Sequence, residues 1–395
     1  MVKADQSSIC QAGSIGVEMP RLLLAIAFVL AVPSAGMAHV KWFAPYIVAS
    51  PPAAILNTLT DRWFWAGIAL AVVFFVSARI IEQGRYGASV LDVLDYGTKA
   101  IWLRIDDYLR AIIASFFIAI FAVGGVYLTP DLKTPAEWVS WAQLVIAALI
   151  FSRRTMPIAG LGIVVLWLLA LRDYDLFHLL DYFSLGLGVA GYLLLEPSRH
   201  ENWRKRRIEA LRWGLAVALM WSSLEKFAYA SWFYPLVVEK PFLTFGLPRD
   251  VFFPMAGVAE FTLGFGLIWT PLIRRLAAIA LLVIFTAAVW PFGRTDLIGH
   301  GLIMAILLAV AADQNRTTQF LPDFKSHISN IPFSLLLAFT LYGSAYWGLH
   351  LAIYGRDQPS MTQPIEKETH IYSTEYPHGP NQVGPYISDE PISQR

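Results

Sequence analysis

The sequence predicts an all-α polytopic membrane protein with about ten transmembrane helices, and three observations carry that prediction. Hydrophobic residues fill 56% of the 395 positions and charged residues 15%, whereas a soluble domain carries about 25% charge to keep its surface wetted. Mean hydropathy is correspondingly high, at +0.53. The charges also gather between long apolar runs. Lipid demands that pattern, because a spanning helix satisfies its own backbone and has no water to hydrate side-chain charge. The net charge of +1 says nothing about nucleic acid, but the sequence shows no basic arm and no soluble domain large enough to carry one, so nucleic acid is not expected as a partner.

The first apolar run, residues 22–32, is too short to cross a hydrocarbon core of about 30 Å. It follows Met19-Pro20-Arg21 and precedes Pro33-Ser34-Ala35-Gly36-Met37-Ala38. A basic start, an apolar centre and a small-residue site stand in the order of a signal peptide. Residues 1–38 are therefore expected to be a leader, with Met19 as an alternative start, and the mature chain to begin at His39. The lone cysteine, Cys10, lies inside that leader. The mature body then has no thiol for disulfide exchange, thiolate metal sites or cysteine nucleophiles. A terminal His39 would offer an amine and an imidazole to one metal, a chelate that suits Cu(II).

Apolar spans are expected near 63–81, 109–128, 137–152, 156–171, 178–195, 212–230, 252–270, 275–291, 297–312 and 331–354. With the N-terminus outside, the inner loops hold 17 Lys and Arg and the outer segments 8, leaving out the tail. The positive-inside rule then places both the N-terminal segment and the tail, residues 355–395, in the periplasm of a bacterial inner membrane. The tail's composition reads as disorder.

The chain repeats itself. Asp175 follows Arg154 by 21 residues, and Asp296 follows Arg275 by 21. Each aspartate precedes a leucine and then a histidine, His178 and His300. Two four-helix units follow, 109–196 and 209–312. One further helix stands at each end: the first lies in residues 39–108, with a periplasmic segment before it and an inner loop after it, and the other at 331–354. Both units start from the inside, so the repeats are parallel.

Leu211-Arg212-Trp213-Gly214, Trp221-Ser222-Ser223-Leu224-Glu225-Lys226-Phe227, Ala256-Gly257-Val258-Ala259-Glu260 and Arg274-Arg275-Leu276-Ala277 resemble the DoxX/DoxD family. The resemblance covers about 100 residues, 211–312, and more weakly 109–195. It implies a tandem pair of four-helix membrane bundles. Because DoxD-type members are linked to quinone-dependent thiosulfate oxidation, it also implies a quinone connection. The family is functionally mixed, so the likeness speaks to fold more than to activity.

Depth selects the candidate chemistry. Ionisable groups within the bilayer face a protein interior or a wet cavity. Glu260 shares a helix face with Gly257 and Gly264, small residues that bring a neighbour close. Glu225 and Lys226 sit about 20 Å up a helix from Arg212, at a rise of 1.5 Å per residue. These three and His300 are the catalytic candidates, and an ion-pair knot of structural purpose is their alternative reading. In the first unit Gln143 stands where Glu260 does, so that copy is expected to be scaffold. A quinone slot is expected at Trp290, with Arg294 or His300 donating and His350 at the outer end of the last helix. Metal ligands are expected at His39, His178 and His300. Three function classes remain open: a quinone-linked redox subunit with a periplasmic or membrane protein partner, a periplasmic copper handler, and a small-solute transporter or structural partner.

Overall fold

The computed structural model describes residues 40–355, other than 45 and 319, and the backbone of residues 369 and 370. The expected leader, His39 and most of the tail lie outside the described residues. The described residues are mostly helical. Among the described residues four helices are long and apolar enough to cross a membrane: α1 (Arg62–Gln83), α6 (Leu176–Leu195), α9 (Pro271–Ala312) and α10 (Asn330–Tyr354). Between them stand α2 (Gly87–Trp102), α3 (Ile105–Val123), α4 (Glu137–Ile150), α5 (Met156–Ala170), α7 (Arg207–Ser222) and α8 (Arg249–Gly266).

Helix starts follow capping chemistry. The Asp61 carboxylate accepts from the Trp63 backbone N–H at 2.7 Å, and Asp175 accepts from His178 N–H at 3.0 Å, each satisfying a donor in a first turn. Helix α9 has 42 residues and would be about 63 Å long if straight, twice a bilayer core. It is not straight. Gly293 adopts φ 68° and ψ −145°, a conformation open to glycine, two residues after Pro291. The Arg275 Nε–H donates to the Ala311 carbonyl at 2.8 Å, although a straight helix would separate them by about 54 Å. The two arms therefore fold back on each other as an antiparallel hairpin.

The end of that hairpin opposite the Gly293 turn is bound by buried arginines. Arg274 and Arg275 are each 1% exposed. Arg274 pairs with Asp313 at 3.1 Å. Arg275 donates to Ala311 and to Thr98 Oγ1 (3.1 Å) and pairs with Asp95. Asp92 and Asp95 also hold Arg316. These contacts explain α2. The stretch expected as an inner loop after the first span instead forms α2, whose acidic pair is an anchor onto α9, while Val90 and Leu91 supply the buried stripe.

Antiparallel α6 and α7 approach each other closely. A Cβ on Gly214 would lie 2.6 Å from the Ser184 carbonyl oxygen and 2.7 Å from Gly188 Cα. Only glycine at both positions allows that crossing. It joins the segment 109–196 to the segment 209–312, and α9 closes the arrangement by packing on α3.

The largest departure from expectation is at the start. Residues 40–44 and 46–50, expected as an outer segment, are threaded into the bundle: Val40, Lys41, Trp42, Ala44, Tyr46 and Val48 are buried. The backbone is held by His350 Nε2 on the Val48 carbonyl (3.1 Å), by the Tyr229 hydroxyl on the Ser50 carbonyl (3.1 Å) and by Ala53 N–H on the Ala228 carbonyl (2.8 Å). Tyr46 and Ile47 also pair antiparallel with the backbone of His370 and Thr369.

Candidate functional site

A cavity of about 120 Å³ lies where α3, α6, α7, α8 and α9 meet beneath the threaded segment. Phe116, Phe117, Ile163, Leu185, Phe285 and Leu302 are among its apolar lining residues. Three ionic groupings break that apolar lining.

The first is centred on Lys41. Its ammonium pairs with Asp181 of α6 and, at 2.6 Å, with Glu225. All three side chains are at most 4% exposed. Burial alone would pull the ammonium pKa down, but the two carboxylates more than offset it and hold it above the ordinary lysine value. The second grouping is Lys226 with Glu260 of α8, the ammonium also lying 5.3 Å from the centre of the Phe233 ring. The third is His300 on the second arm of α9. Its Nδ1 is 2.9 Å from Asp296 Oδ1, one turn back along the helix. The imidazole is flanked by the Trp42 and Phe285 rings, each 4.7 Å away between centres. Nε2 has no hydrogen-bond partner among the described residues, and His300 lines the cavity.

Trp42 is seated by the absence of a side chain. A Cβ on Gly299 would coincide with its indole. The same indole donates to Asp131 at 3.2 Å. Asp131, fully buried in the loop between α3 and α4, also accepts from Thr129 and Tyr182 and lies 3.4 Å from His178 Nε2. Tyr182 reaches the cavity, so a continuous polar chain runs from its wall through Asp131 to His178 and on to the Tyr46 hydroxyl, 3.4 Å from His178.

The cavity brings together four of the sequence candidates: Glu225, Lys226, Glu260 and His300. Their setting differs from the expected one. Helix α7 stops at Ser222, and Glu225 and Lys226 occupy a separate turn, Glu225–Ala228, rather than the upper part of one long helix. The two carboxylates are in different ion pairs, not one knot. Gly257 does bring a neighbour close, since a Cβ there would touch the Phe227 ring at 2.6 Å.

The remaining candidates are elsewhere. Trp290 is 91% exposed and Arg294 is exposed on the outer side of the α9 turn, so neither lines the cavity. His350 holds the threaded segment and packs on Phe177 and Tyr354. The parallel Asp–His spacing of the two units has two outcomes. Asp175 caps its helix and leaves the His178 ring to Asp131, whereas Asp296, four residues from His300, reaches the imidazole itself. Among the described residues no three His, Cys, Asp or Glu side chains converge as a metal-ligating set, and His39 lies outside them.

The first unit is more than scaffold at this site. It supplies Asp181 and Tyr182, although Gln143, the counterpart of Glu260, is turned away to the Val126 carbonyl at 2.6 Å. Asp181 had a legible signal, a carboxylate within the apolar span 178–195. Residues 40–49 carry one charge among apolar residues, too dry a composition for a wetted loop. No protein-family profile, curated protein or solved structure matches this chain.

Proposed function

We propose that the chain is a ten-span protein of a bacterial inner membrane whose junction cavity receives the headgroup of a membrane quinol, making it a quinone-linked redox subunit. The single observation that carries this reading is His300. Its Nδ1 side is occupied by buried Asp296, and its Nε2 opens into an aromatic and aliphatic cavity beside Glu260. With Nδ1–H donating to Asp296, Nε2 is an acceptor for a hydroxyl proton, and the carboxylate steadies the imidazolium that forms. Glu260 is placed to take a second proton. Oxidation of a hydroquinone to the quinone releases two protons to these groups and two electrons to a redox protein partner in the periplasm or membrane. The reverse reaction uses the same groups as donors. The loop charge bias supports the orientation that puts this cavity near the periplasmic side, and the DoxX/DoxD resemblance supports both the paired four-helix units and the quinone connection.

The test is equilibrium binding of a short-tailed quinol and its quinone to detergent-purified protein. His300→Ala and Glu260→Gln should each weaken binding at least about tenfold, equivalent to roughly 1.4 kcal/mol. Trp290→Ala, on the outer surface, should bind as the wild type does. Absence of saturable binding, or equal losses in the Trp290 and His300 variants, would reject the reading.

A further inference from the structure

A second cleft, of about 410 Å³, opens at the arginine-rich end of the bundle, where α3 and α7 begin, α6 ends and α4 turns into α5. Five guanidinium groups line it, from Arg104, Arg110, Arg153, Arg204 and Arg207, against three carboxylates, from Asp106, Asp107 and Glu196. That leaves two positive charges in excess.

The carboxylates are already committed. Asp106 takes Arg207 through two bonds, 2.6 and 3.0 Å, and also takes Arg204 at 3.2 Å. Glu196 lies 3.3 Å from Arg153. Arg110 pairs with the exposed Asp107. Arg104 has no ion pair among the described residues. The Arg204 Nε–H is buried there without an acceptor. A salt-bridge knot of purely structural purpose would close until opposite charges touched. Here the excess guanidinia instead surround open space, and the first turns of α3 and α7 add the positive ends of two helix dipoles.

Apolar side chains stand exposed beside these arginines: Leu103 of the lining is 72% exposed, and Phe151 and Trp203, close in sequence to Arg153 and Arg204, are 69% and 55% exposed. A soluble anion has no use for such a border, whereas a phospholipid places its phosphates among the arginines and its chains along the apolar side chains. We propose that this cleft binds the phosphates of an anionic phospholipid, and that the two excess charges match a doubly charged bis-phosphatidyl headgroup. The site is separate from the junction cavity and does not depend on the quinone reading.

The experiment uses the full chain, purified and delipidated by detergent exchange. It is titrated with bis-phosphatidylglycerol, phosphatidylcholine or inorganic phosphate, with unfolding temperature and native mass spectrometry as readouts. The doubly charged lipid should raise the unfolding temperature and remain bound in the gas phase, while phosphatidylcholine should do neither. Arg104→Gln combined with Arg110→Gln removes two guanidinia that hold no buried partner, and should raise the apparent Kd for the lipid at least tenfold while the protein stays folded. Equal stabilisation by phosphatidylcholine, unchanged lipid affinity in the double variant, or a full shift from inorganic phosphate alone would overturn the proposal.

Discussion

Lys41→Met is expected to destabilise the solubilised protein by about 3–5 kcal/mol, the cost of leaving buried charge without its partner. The methionine fills similar space but strands Asp181 and Glu225 facing each other in an apolar surrounding. Adding Asp181→Asn and Glu225→Gln removes the stranded charge, so the triple variant should recover most of the lost stability. Thermal unfolding of the four proteins, wild type, Lys41→Met, the carboxamide pair and the triple variant, measures this directly. The carboxamide pair alone should also be destabilised, because it leaves Lys41 uncompensated. A Lys41→Met protein that unfolds no earlier than the wild type would show that the threaded segment is not what neutralises these carboxylates.

The second large effect is steric. In Gly299→Val the new side chain occupies the place of the Trp42 indole. The second arm of α9 is fixed through Arg275 at its far end, so the mobile party is the threaded segment. Its expulsion would remove Lys41 from Asp181 and open the cavity. A cysteine placed at Ala49, which is 4% exposed, should react with a membrane-impermeant maleimide at least tenfold faster in the Gly299→Val background. Gly301→Val is the matched control, because nothing lies within 4 Å of a Cβ at that position. Equal labelling in the two backgrounds would remove Trp42 from its assigned seat.

The helices were largely legible because periodicity and apolar length are local properties. The runs read at 63–81, 178–195 and 331–354 correspond to Arg62–Gln83, Leu176–Leu195 and Asn330–Tyr354. The break between 291 and 297 is the reversal at Gly293. Glu225, Lys226, Glu260 and His300 were legible for a different reason, the high cost of ionisable groups at their depth in an apolar run. What escaped was pairing over distance. Lys41 meets Asp181 across 140 positions, and Trp42 meets Asp131 across 89. No periodicity encodes such contacts, and a lysine in a segment preceding the first span reads naturally as solvated. The Asp–His repeat misled in the opposite direction, since near-identical spacing conceals a capping role for Asp175 and an imidazole partner in Asp296. Trp290 and Arg294 have the residue types of a quinone slot, an apolar ring and a hydrogen-bond donor, but they stand exposed at the Gly293 turn.

Photolabelling with an azido-quinone, followed by mapping of the modified peptides, tests the central claim most directly. The quinol reading predicts label on the peptide carrying Trp42 and on the arms of α9 around Phe285 and His300, abolished by excess unlabelled quinone. Label confined to the exposed surface around Trp290, or label that excess quinone does not displace, would contradict it.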